Sequence, residues 1–216
     1  FHLGATTQVL NSLENPEYTY KNNVMGTVNI LEGIRLLNPE IILIYASSDK
    51  AYGEKNENNY KENDKLNAVF PYDVSKSTSD LICQSYSKTF SISVGILRCG
   101  NLYGPGDFNV KRIIPETIIN SIKKQKLIIR SNGKLTRDYL FVDDAASAYI
   151  LTMKKLIKSK EKLLIYNVSS NFNSNVISLV KKIQHKINNN YDYFVSNISK
   201  KEIKNQKLNF RKIRKD

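Results

Sequence analysis

A tyrosine and a lysine stand four positions apart in the segment Tyr72-Asp73-Val74-Ser75-Lys76. On a helix these two side chains would lie on the same face. An ammonium group beside a phenol favours the phenolate and so lowers the pKa of the tyrosine. Such a tyrosine can take a proton from a sugar hydroxyl near neutral pH, and Ser48 could hydrogen-bond to the same hydroxyl. Together these residues could convert an alcohol to a ketone while hydride leaves to a nicotinamide.

The spacing alone is a weak signal, because a surface tyrosine beside a solvated lysine gives the same pattern. Its place in the chain favours the catalytic interpretation. Tyr72 follows Ser48 by 24 residues, and Pro71 directly before it can open a helix at its first turn. Apolar runs over 41–46 and 92–97, each the length of a buried strand, flank this helix.

Apolar periodicity and turn residues predict the remaining elements. Apolar residues repeat at helical spacing from Val24 to Leu37, and Asn38-Pro39 ends that helix. Asp143 and Asp144 are predicted to cap a helix that runs to Ile157. Strands alternate with helices, which indicates an α/β fold with a doubly wound, mainly parallel sheet. The further predicted elements are helices over 113–122 and 176–187 and strands over 127–130, 139–142 and 163–167.

Polar segments follow both of the strands that flank the central helix. Ser47-Ser48-Asp49-Lys50 comes directly after strand 41–46, and Arg98-Cys99-Gly100-Asn101 comes directly after strand 92–97. In open parallel sheets, ligands bind beyond the carboxyl ends of the strands. We therefore expect both segments at the same edge of the sheet, together with Tyr72.

The formal net charge of +13 comes almost entirely from the last third of the chain. Residues 1–150 hold 17 Lys+Arg and 16 Asp+Glu, whereas residues 151–216 hold 16 and 4. This excess could attract an anion such as a nucleotide diphosphate or nucleic acid. Solvated lysines on outer helix faces give the same excess, and we favour this second explanation. The sequence shows no nucleic-acid-binding motif, so a nucleic-acid partner is not expected.

Cysteine and histidine content excludes two further classes of protein. Two cysteines and two histidines cannot supply a disulfide scaffold or a zinc-ligand cluster, so no metal is expected.

No apolar run approaches the ~20 residues needed to cross a bilayer, and no membrane association is expected. No signal peptide is visible, and the expected location is cytoplasmic.

Several segments occur in the order and near the spacings of one known family. The chain resembles the extended short-chain dehydrogenase/reductases, specifically their NAD-dependent nucleotide-sugar epimerases and dehydratases. Each segment is a modest signal, but the ordered set is specific and covers nearly the whole chain. The segments are Phe1-His2-Leu3-Gly4-Ala5, Asn22-Asn23-Val24-Met25-Gly26-Thr27, Ser47-Ser48-Asp49-Lys50-Ala51-Tyr52-Gly53, Tyr72–Lys76, Arg98–Pro105, Arg137–Asp144, Tyr166-Asn167-Val168 and Lys212-Ile213-Arg214-Lys215.

The resemblance implies two domains and an incomplete chain. A Rossmann-like NAD-binding domain is expected over 1–107, and a mainly substrate-binding α/β domain over 108–216, from which 138–157 returns to pack on the first. Family members begin with a strand, a Gly-x-x-Gly-x-x-Gly turn and a helix, and no such turn occurs here. The chain is therefore expected to be truncated at its N-terminus, and also at its C-terminus. Alone it should lack the main adenine and pyrophosphate site and be inactive. The full-length protein is expected to form a homodimer through helices such as 24–37 and 71–90.

The two residues after Ser48 bear on the type of reaction. Epimerases of the family usually have small or neutral residues there, whereas 4,6-dehydratases carry an acid and a second proton-transfer group. Loss of water from C5 and C6 of a hexose needs an acid for the leaving hydroxyl and a base for the C5 proton. Asp49 is the predicted acid, with a raised pKa, and Lys50 the predicted base, with a neutral amine. The alternative is an Asp49–Lys50 ion pair at a strand end.

Matching positions imply further contacts, which come from the resemblance. Arg137 is the strongest candidate for holding the diphosphate, because a guanidinium can bind phosphate oxygens in a fork. Its alternative role is a salt bridge to Asp138 or Asp143, and the alternative for Asn101 is turn formation. The full sets are Leu3, Gly4, Ala5, Asn22, Tyr72, Lys76 and Leu102 for the cofactor, and Ser48, Asn101, Arg112, Arg137 and Asn167 for the nucleotide-diphosphate sugar.

The resemblance implies that the intact protein is an NAD-dependent nucleotide-sugar 4,6-dehydratase. The Ser-Asp-Lys sequence looks most like that of CDP-glucose 4,6-dehydratases, since the thymidine-linked enzymes typically have Glu in place of the Lys. Its product would be a 4-keto-6-deoxy sugar. A 4-epimerase of the UDP-glucose type is the second candidate, because it would need only Ser48, Tyr72 and Lys76. An inactive fragment or a non-catalytic binding protein is the third.

Overall fold

The computed structural model describes residues 1–55, 59–187, 192–199 and 202–216 of the chain. A π-helical turn (Lys21–Met25) precedes the third helix, and a 3-10 turn (Asp49–Tyr52) follows the first strand. The helices are α1 (Val9–Glu14), α2 (Pro16–Tyr20), α3 (Gly26–Leu37), α4 (Pro71–Phe90), α5 (Ile113–Lys123), α6 (Val142–Lys158), α7 (Val176–Lys186) and α8 (Arg211–Lys215). The strands are β1 (Leu43–Ser48), β2 (Val94–Cys99), β3 (Asn101–Tyr103), β4 (Leu127–Ile129), β5 (Thr136–Phe141), β6 (Leu163–Val168), β7 (Asn173–Asn175) and β8 (Tyr193–Val195).

The first sheet is parallel and has the strand order β1-β2-β6. Beyond β1, the N-terminal segment adds a single bridge to this sheet. The backbone N–H of His2 donates to the Ile44 oxygen at 2.8 Å, and the His2 carbonyl accepts from the Ala46 N–H at 3.1 Å. All of these segments run the same way, so their carboxyl ends meet at one edge.

Helices cover both faces of this sheet. On one face, α3 and α4 pack against the strands, with Leu31 and Cys83 in contact with the cluster around Ile96. On the other face, α6 packs close to β2, and a side chain on Gly95 would come within 2.7 Å of the Thr152 side chain. Strands covered on both sides are apolar at nearly every position, which is why β1 and β2 were visible in the sequence. The predicted doubly wound sheet is therefore present.

Two smaller sheets are present in the described ranges. β3 pairs with β5 in parallel and β5 pairs with β7 antiparallel, while β4 and β8 form a separate parallel pair. A further apolar core joins β4 to α7 through Leu127, Ile129 and Val180. β6 is a strand of the first sheet, and α6 packs against that sheet. The returning segment of the second predicted domain therefore extends to Val168 and does not end at residue 157. The other boundaries of the two predicted domains stay a prediction.

The predicted elements differ from the observed ones mainly at their ends, and six short elements were not predicted: α1, α2, α8, β3, β7 and β8. β1 and β2 each lie two residues further along the chain than the runs 41–46 and 92–97. The predicted cap of α6 by Asp143 and Asp144 is wrong. Phe141 occupies the N-cap position, and the two aspartates lie in the first turn, where they still face the positive end of the helix dipole. Among the described residues, no helix combines the length and apolar character that a membrane span requires.

Candidate active site

A cleft of about 900 Å³ lies at the carboxyl edge of the first sheet. The end of β1, the first turns of α4 and α5, and β5 contribute to its walls. This edge is where open parallel sheets bind their ligands. The five predicted catalytic residues all line the cleft: Ser48, Asp49, Lys50, Tyr72 and Lys76.

Tyr72 and Lys76 are positioned by the N-terminal part of α4. Pro71 begins the helix, which puts Tyr72 in the first turn and Lys76 one turn later. The Tyr72 hydroxyl interacts with the Ser48 side chain. The Lys76 amine donates a 2.8 Å hydrogen bond to the Ala46 carbonyl and is buried, so it does not extend to bulk water. Burial lowers the pKa of Lys76 to about 8.

The expected lowering of the Tyr72 pKa is not found. Burial raises the pKa of Tyr72 well above its usual range, and the Asp49 carboxylate raises it further. The contact with Ser48 acts in the opposite direction but is outweighed. The charge of Lys76 is therefore not the main influence on Tyr72. Desolvation of the phenolate is the larger effect in this cleft, because a buried anion loses its hydration.

Asp49 and Lys50 lie in the 3-10 turn directly after β1. Asp49 is buried, and one of its carboxylate oxygens accepts the Ser48 hydroxyl at 3.1 Å. Burial raises the pKa of Asp49, despite the opposing charges of Lys50 and Arg137. Burial, together with the Arg137 charge, lowers the pKa of Lys50. In the part of the chain that the structure describes, Lys50 forms no ion pair with Asp49, since its amine donates to Gln206 Oε1 at 3.0 Å.

A buried ion pair connects the elements that carry these groups. Arg98 on β2 contacts both carboxylate oxygens of Asp80 on α4 at 2.9 Å. Asp80 also accepts the hydroxyl of Ser47, the residue before Ser48, at 2.6 Å. Arg98 donates to the Tyr52 hydroxyl at the end of the 3-10 turn at 2.8 Å. The pair thus connects β1, β2, α4 and the turn behind the cleft.

Three of the predicted substrate contacts line the far wall of the cleft. Asn101 donates weakly to the Asp138 carbonyl at 3.4 Å, and Arg112 stands at the N-cap of α5. Arg137 is buried, and its salt bridge is to Glu202 at 3.2 Å rather than to Asp138 or Asp143. All three side chains face the cleft, and their contacts with a diphosphate stay a prediction.

The predicted cofactor neighbours divide into two groups. Leu3 and Leu102 line the cleft, whereas Gly4 and Ala5 do not contribute to its walls. Asn22 is exposed and donates to the Tyr18 carbonyl of the preceding turn. The next residue, Asn23, is the buried one: it hydrogen-bonds to the backbone of Thr6 and to the Ser75 hydroxyl on α4. Asn22 therefore lies outside the cleft walls, and its contact with a cofactor stays a prediction.

Asn167 has a different role from the one predicted. It is fully buried at the end of β6 and lies outside the cleft walls. Its side-chain oxygen accepts the Tyr52 hydroxyl at 2.6 Å, and its amide nitrogen donates to the carbonyls of Tyr60 and Asn209. Both polar atoms of the Asn167 side chain, Oδ1 and Nδ2, are thus bonded to other residues of the chain. Asn167 therefore connects the loop before α4 to the C-terminal segment and does not face a substrate.

Three charged or polar residues near the cleft were not predicted as site residues. Asp73 follows Tyr72, is buried, and has a pKa raised to about 6, mainly by burial. Glu202 and Gln206 come from the C-terminal segment 202–209 and contact Arg137 and Lys50. Glu202 and Gln206 belong to no segment of the family resemblance. They reach the cleft only because the C-terminal segment folds back onto distant parts of the chain.

Comparison with known proteins assigns the family. The sequence profile of the NAD dependent epimerase/dehydratase family matches residues 1–169, and the chain belongs to that family. It is 34% identical over 193 residues to dTDP-D-glucose 4,6-dehydratase of Dictyostelium discoideum, which covers 84% of this chain and 43% of the relative. It is 33% identical over 191 residues to a putative UDP-glucose 4-epimerase of Methanocaldococcus jannaschii, covering 86% and 60%. The chain thus spans about half the length of these curated relatives.

Solved structures confirm the predicted Rossmann-like fold. A dTDP-glucose 4,6-dehydratase from Bacillus anthracis in complex with NAD aligns with a TM-score of 0.81 and 28% identity, over 91% of this chain and 61% of that one. A UDP-glucose 4-epimerase from Thermotoga maritima with UDP-glucose aligns with a TM-score of 0.89 over 100% of this chain and 69% of that one. Its identity is 21%, so this second likeness concerns the fold alone.

Proposed function

We propose that the intact protein is a nucleotide-sugar 4,6-dehydratase. The observation that carries the proposal is the placing of Asp49 and Lys50 in the same cleft as Ser48, Tyr72 and Lys76. The pKa of the carboxyl is raised and that of the amine is lowered, which are the directions that an acid and a base at this site require. The identity with a dTDP-D-glucose 4,6-dehydratase supports the same reaction type.

The proposed steps move three protons between this chain and the sugar. Tyr72, in its phenolate form, receives the proton of the 4-hydroxyl, to which Ser48 hydrogen-bonds. Lys50 takes the C5 proton, which is acidic beside the 4-ketone, while Asp49 protonates the departing 6-hydroxyl and water leaves. Lys50 then returns its proton to C5. Tyr72 has then gained one proton and Asp49 has lost one, and proton exchange between them returns both residues to their starting states. The net change is the loss of one water molecule.

The residues around the cleft fit the nicotinamide end of a dinucleotide. The Tyr72 hydroxyl and the Lys76 amine, which the Ala46 carbonyl holds in place, are suitable donors for a ribose. Leu3 and Leu102 supply apolar surface beside them. When bound, NAD would take a hydride from C4 and return it to C6, and its positive ring would favour the Tyr72 phenolate.

The proposed substrate is a hexose carried on a nucleoside diphosphate. Arg112 and Arg137 line the cleft and could pair with the diphosphate, and we include Asn101 as a neutral donor beside them. The Ser-Asp-Lys sequence favours CDP-glucose, although a named relative acts on a dTDP sugar. We retain a cytoplasmic location as part of the proposal, and nucleic acid and membranes as partners are not proposed.

Exchange of the two diagnostic residues tests the proposal. The full-length protein is incubated with CDP-, dTDP- and UDP-glucose, and 4-keto-6-deoxy product is measured. Asp49→Asn and Lys50→Met should each reduce loss of water at least ~100-fold, because a proton-transfer group contributes about that much. Oxidation at C4 should persist. The control is the adjacent pair Asp64→Asn and Lys65→Met, which lies outside the cleft and should leave the rate unchanged.

A 4-epimerase is the second candidate, and the identity with a putative UDP-glucose 4-epimerase favours it. Such an enzyme would use Ser48, Tyr72 and Lys76 and would release a 4-epimer without losing water. Retention of full activity in Asp49→Asn and Lys50→Met would support this candidate and contradict the dehydratase proposal.

We also propose that the full-length protein is a homodimer that uses α3 and α4. These helices contact each other and expose apolar side chains, including Leu37 at 87% and Leu81 at 51%. Exposed apolar side chains on neighbouring helices are typical of an association surface.

A further inference from the structure

Lys50 is surrounded by buried polar groups, and two of them, Asp73 and Gln206, have no part in the proposed proton transfers. Among the described residues, three such atoms have no hydrogen-bond partner near it: Asp49 Oδ2, Asp73 Oδ1 and Gln206 Nε2. Of these three residues, Gln206 is the one whose side chain bonds to the Lys50 amine, at 3.0 Å through Oε1. Gln206 is fully buried, and it comes from outside the 1–169 range that the family profile matches.

We propose that Gln206 is a positioning residue that holds the Lys50 amine toward the sugar without holding its proton. The proposal rests on the proposed function, in which Lys50 is the base for the C5 proton. A side-chain amide oxygen accepts an N–H from a neutral amine or from an ammonium, so it fixes the direction of the amine in both states. A carboxylate in its place would bind the ammonium as an ion pair and keep the amine protonated.

The backbone around Gln206 is fixed to the substrate side of the cleft. The Gln206 N–H donates to the Thr136 carbonyl at 3.1 Å, and the Gln206 carbonyl accepts the Asn173 amide at 2.8 Å. Thr136 begins β5, and the next residue is Arg137 of the cleft wall. The amide that holds Lys50 is therefore attached to the strand that carries a proposed diphosphate ligand. The C-terminal segment 202–209 must therefore be docked correctly for Gln206 to contact both Lys50 and Thr136.

Four charged groups act on the pKa of Lys50, in addition to its burial. Asp49 lies in its own turn, Asp73 on α4, Arg137 on β5 and Glu202 in the C-terminal segment. Arg137 favours the neutral amine, while the three carboxyl groups favour the ammonium. Gln206 adds no charge to this balance, so exchange for glutamate changes the charge beside Lys50 while nearly preserving the side-chain shape.

Two variants of the full-length protein test this role. Gln206→Glu should move the acid-side limb of the kcat pH profile to higher pH by about one unit or more, because Lys50 must lose its proton to act. Gln206→Met keeps the volume but removes the acceptor. It should lower kcat about tenfold and change KM less than about threefold, which corresponds to one lost hydrogen bond. Gln125→Glu on the exposed surface after α5 is the control for added charge, and its profile should match wild type.

Incorporation of deuterium from D2O at C5 of the product provides a second readout of the same step. Its rate should fall in Gln206→Met in parallel with kcat, whereas oxidation at C4 should be unaffected. A wild-type pH limb in Gln206→Glu together with wild-type kcat in Gln206→Met would overturn the role of Gln206. Failure of the proposed function is recognised separately, because then the wild-type protein itself forms no 4-keto-6-deoxy product.

Discussion

At the scale of single residues, burial determines the chemistry of the cleft more than any charge pair does. Tyr72, Asp49, Lys50 and Lys76 all have pKa values displaced mainly by the loss of hydration, in the direction that disfavours the charged form. A neutral carboxyl group at Asp49 and a neutral amine at Lys50 can then serve as acid and base in the same small volume. The sequence pattern could show which groups come together but not how dry their surroundings are.

Removal of the Tyr72 hydroxyl should abolish most of the activity. Tyr72→Phe deletes the group that takes the 4-hydroxyl proton, and we expect kcat to fall by about 100-fold or more while the fold is kept. Steady-state kinetics of the full-length protein measure the effect. Tyr86→Phe on the same helix is the matched control, since its hydroxyl bonds to Glu32 away from the cleft. Equal losses in both variants would contradict the role of Tyr72.

Asp73 should make the stability of the protein depend on pH. Its pKa in the folded state is about 6, above the ordinary 3.8, so folding favours the protonated form. The stability it contributes is present below pH 3.8 and is lost as pH rises through 6. Asp73→Asn removes this loss and should raise the free energy of unfolding at pH 7.5 by up to about 3 kcal/mol, with little change at pH 4. Denaturant unfolding at the two pH values measures it, and an equal effect at both would refute it.

Two asparagines show where residue-level prediction from sequence ends. Asn22 and Asn23 are adjacent and chemically identical, yet only Asn23 is turned inward by the π-helical turn Lys21–Met25. Asn167 matched a ligand position of relatives but is used by Tyr52, Tyr60 and Asn209. Side-chain direction in both cases depends on the backbone path and on distant partners, which motif spacing does not contain.

At the scale of elements, the sequence predicted those helices and strands that depend mainly on residues adjacent in the chain. Pro71 marked the first residue of α4, and the apolar runs marked β1 and β2 within two residues. The short strands β3, β7 and β8, of three residues each, were not predicted. A strand of three residues is too short to show an alternation of apolar and polar side chains, and β4 was predicted from its apolar run instead. Such short strands are stabilised by the neighbouring strands of their sheet. The contacts of the C-terminal segment 202–209 were missed for the same reason.

Removal of one partner of the buried Asp80–Arg98 pair should weaken the packing of α4 against the sheet. Asp80→Asn leaves the buried Arg98 guanidinium without its anionic partner, which costs about 3–5 kcal/mol in buried pairs of this kind. Denaturant unfolding should show this loss, and replacement of both residues by apolar ones should cost less than Asp80→Asn alone. The control is Glu32→Gln, which breaks the solvent-accessible Glu32–Arg35 pair and should hardly change the midpoint. A near wild-type midpoint for Asp80→Asn would show that the pair is not needed.

At the scale of the whole molecule, charge and apolar surface are distributed differently. The excess of lysine and arginine lies in residues 151–216, whereas α3 and α4 in the first half of the chain expose apolar side chains such as Leu37, Leu81 and Phe90. Like charges would oppose contact between copies through the basic third. The helix pair is therefore the surface on which we place the proposed homodimer.

A charge placed on this helix pair should prevent association. Leu81→Lys puts an ammonium group into the proposed contact, where burial without a partner is costly, and the full-length variant should sediment as a monomer under conditions in which wild type is a dimer. Leu81 is 51% exposed, so the monomer can solvate the new side chain and should keep its fold. Ile157→Lys is the matched control, because Ile157 is 63% exposed at the far end of α6. Loss of the dimer in both variants, or in neither, would exclude α3 and α4 as the association surface.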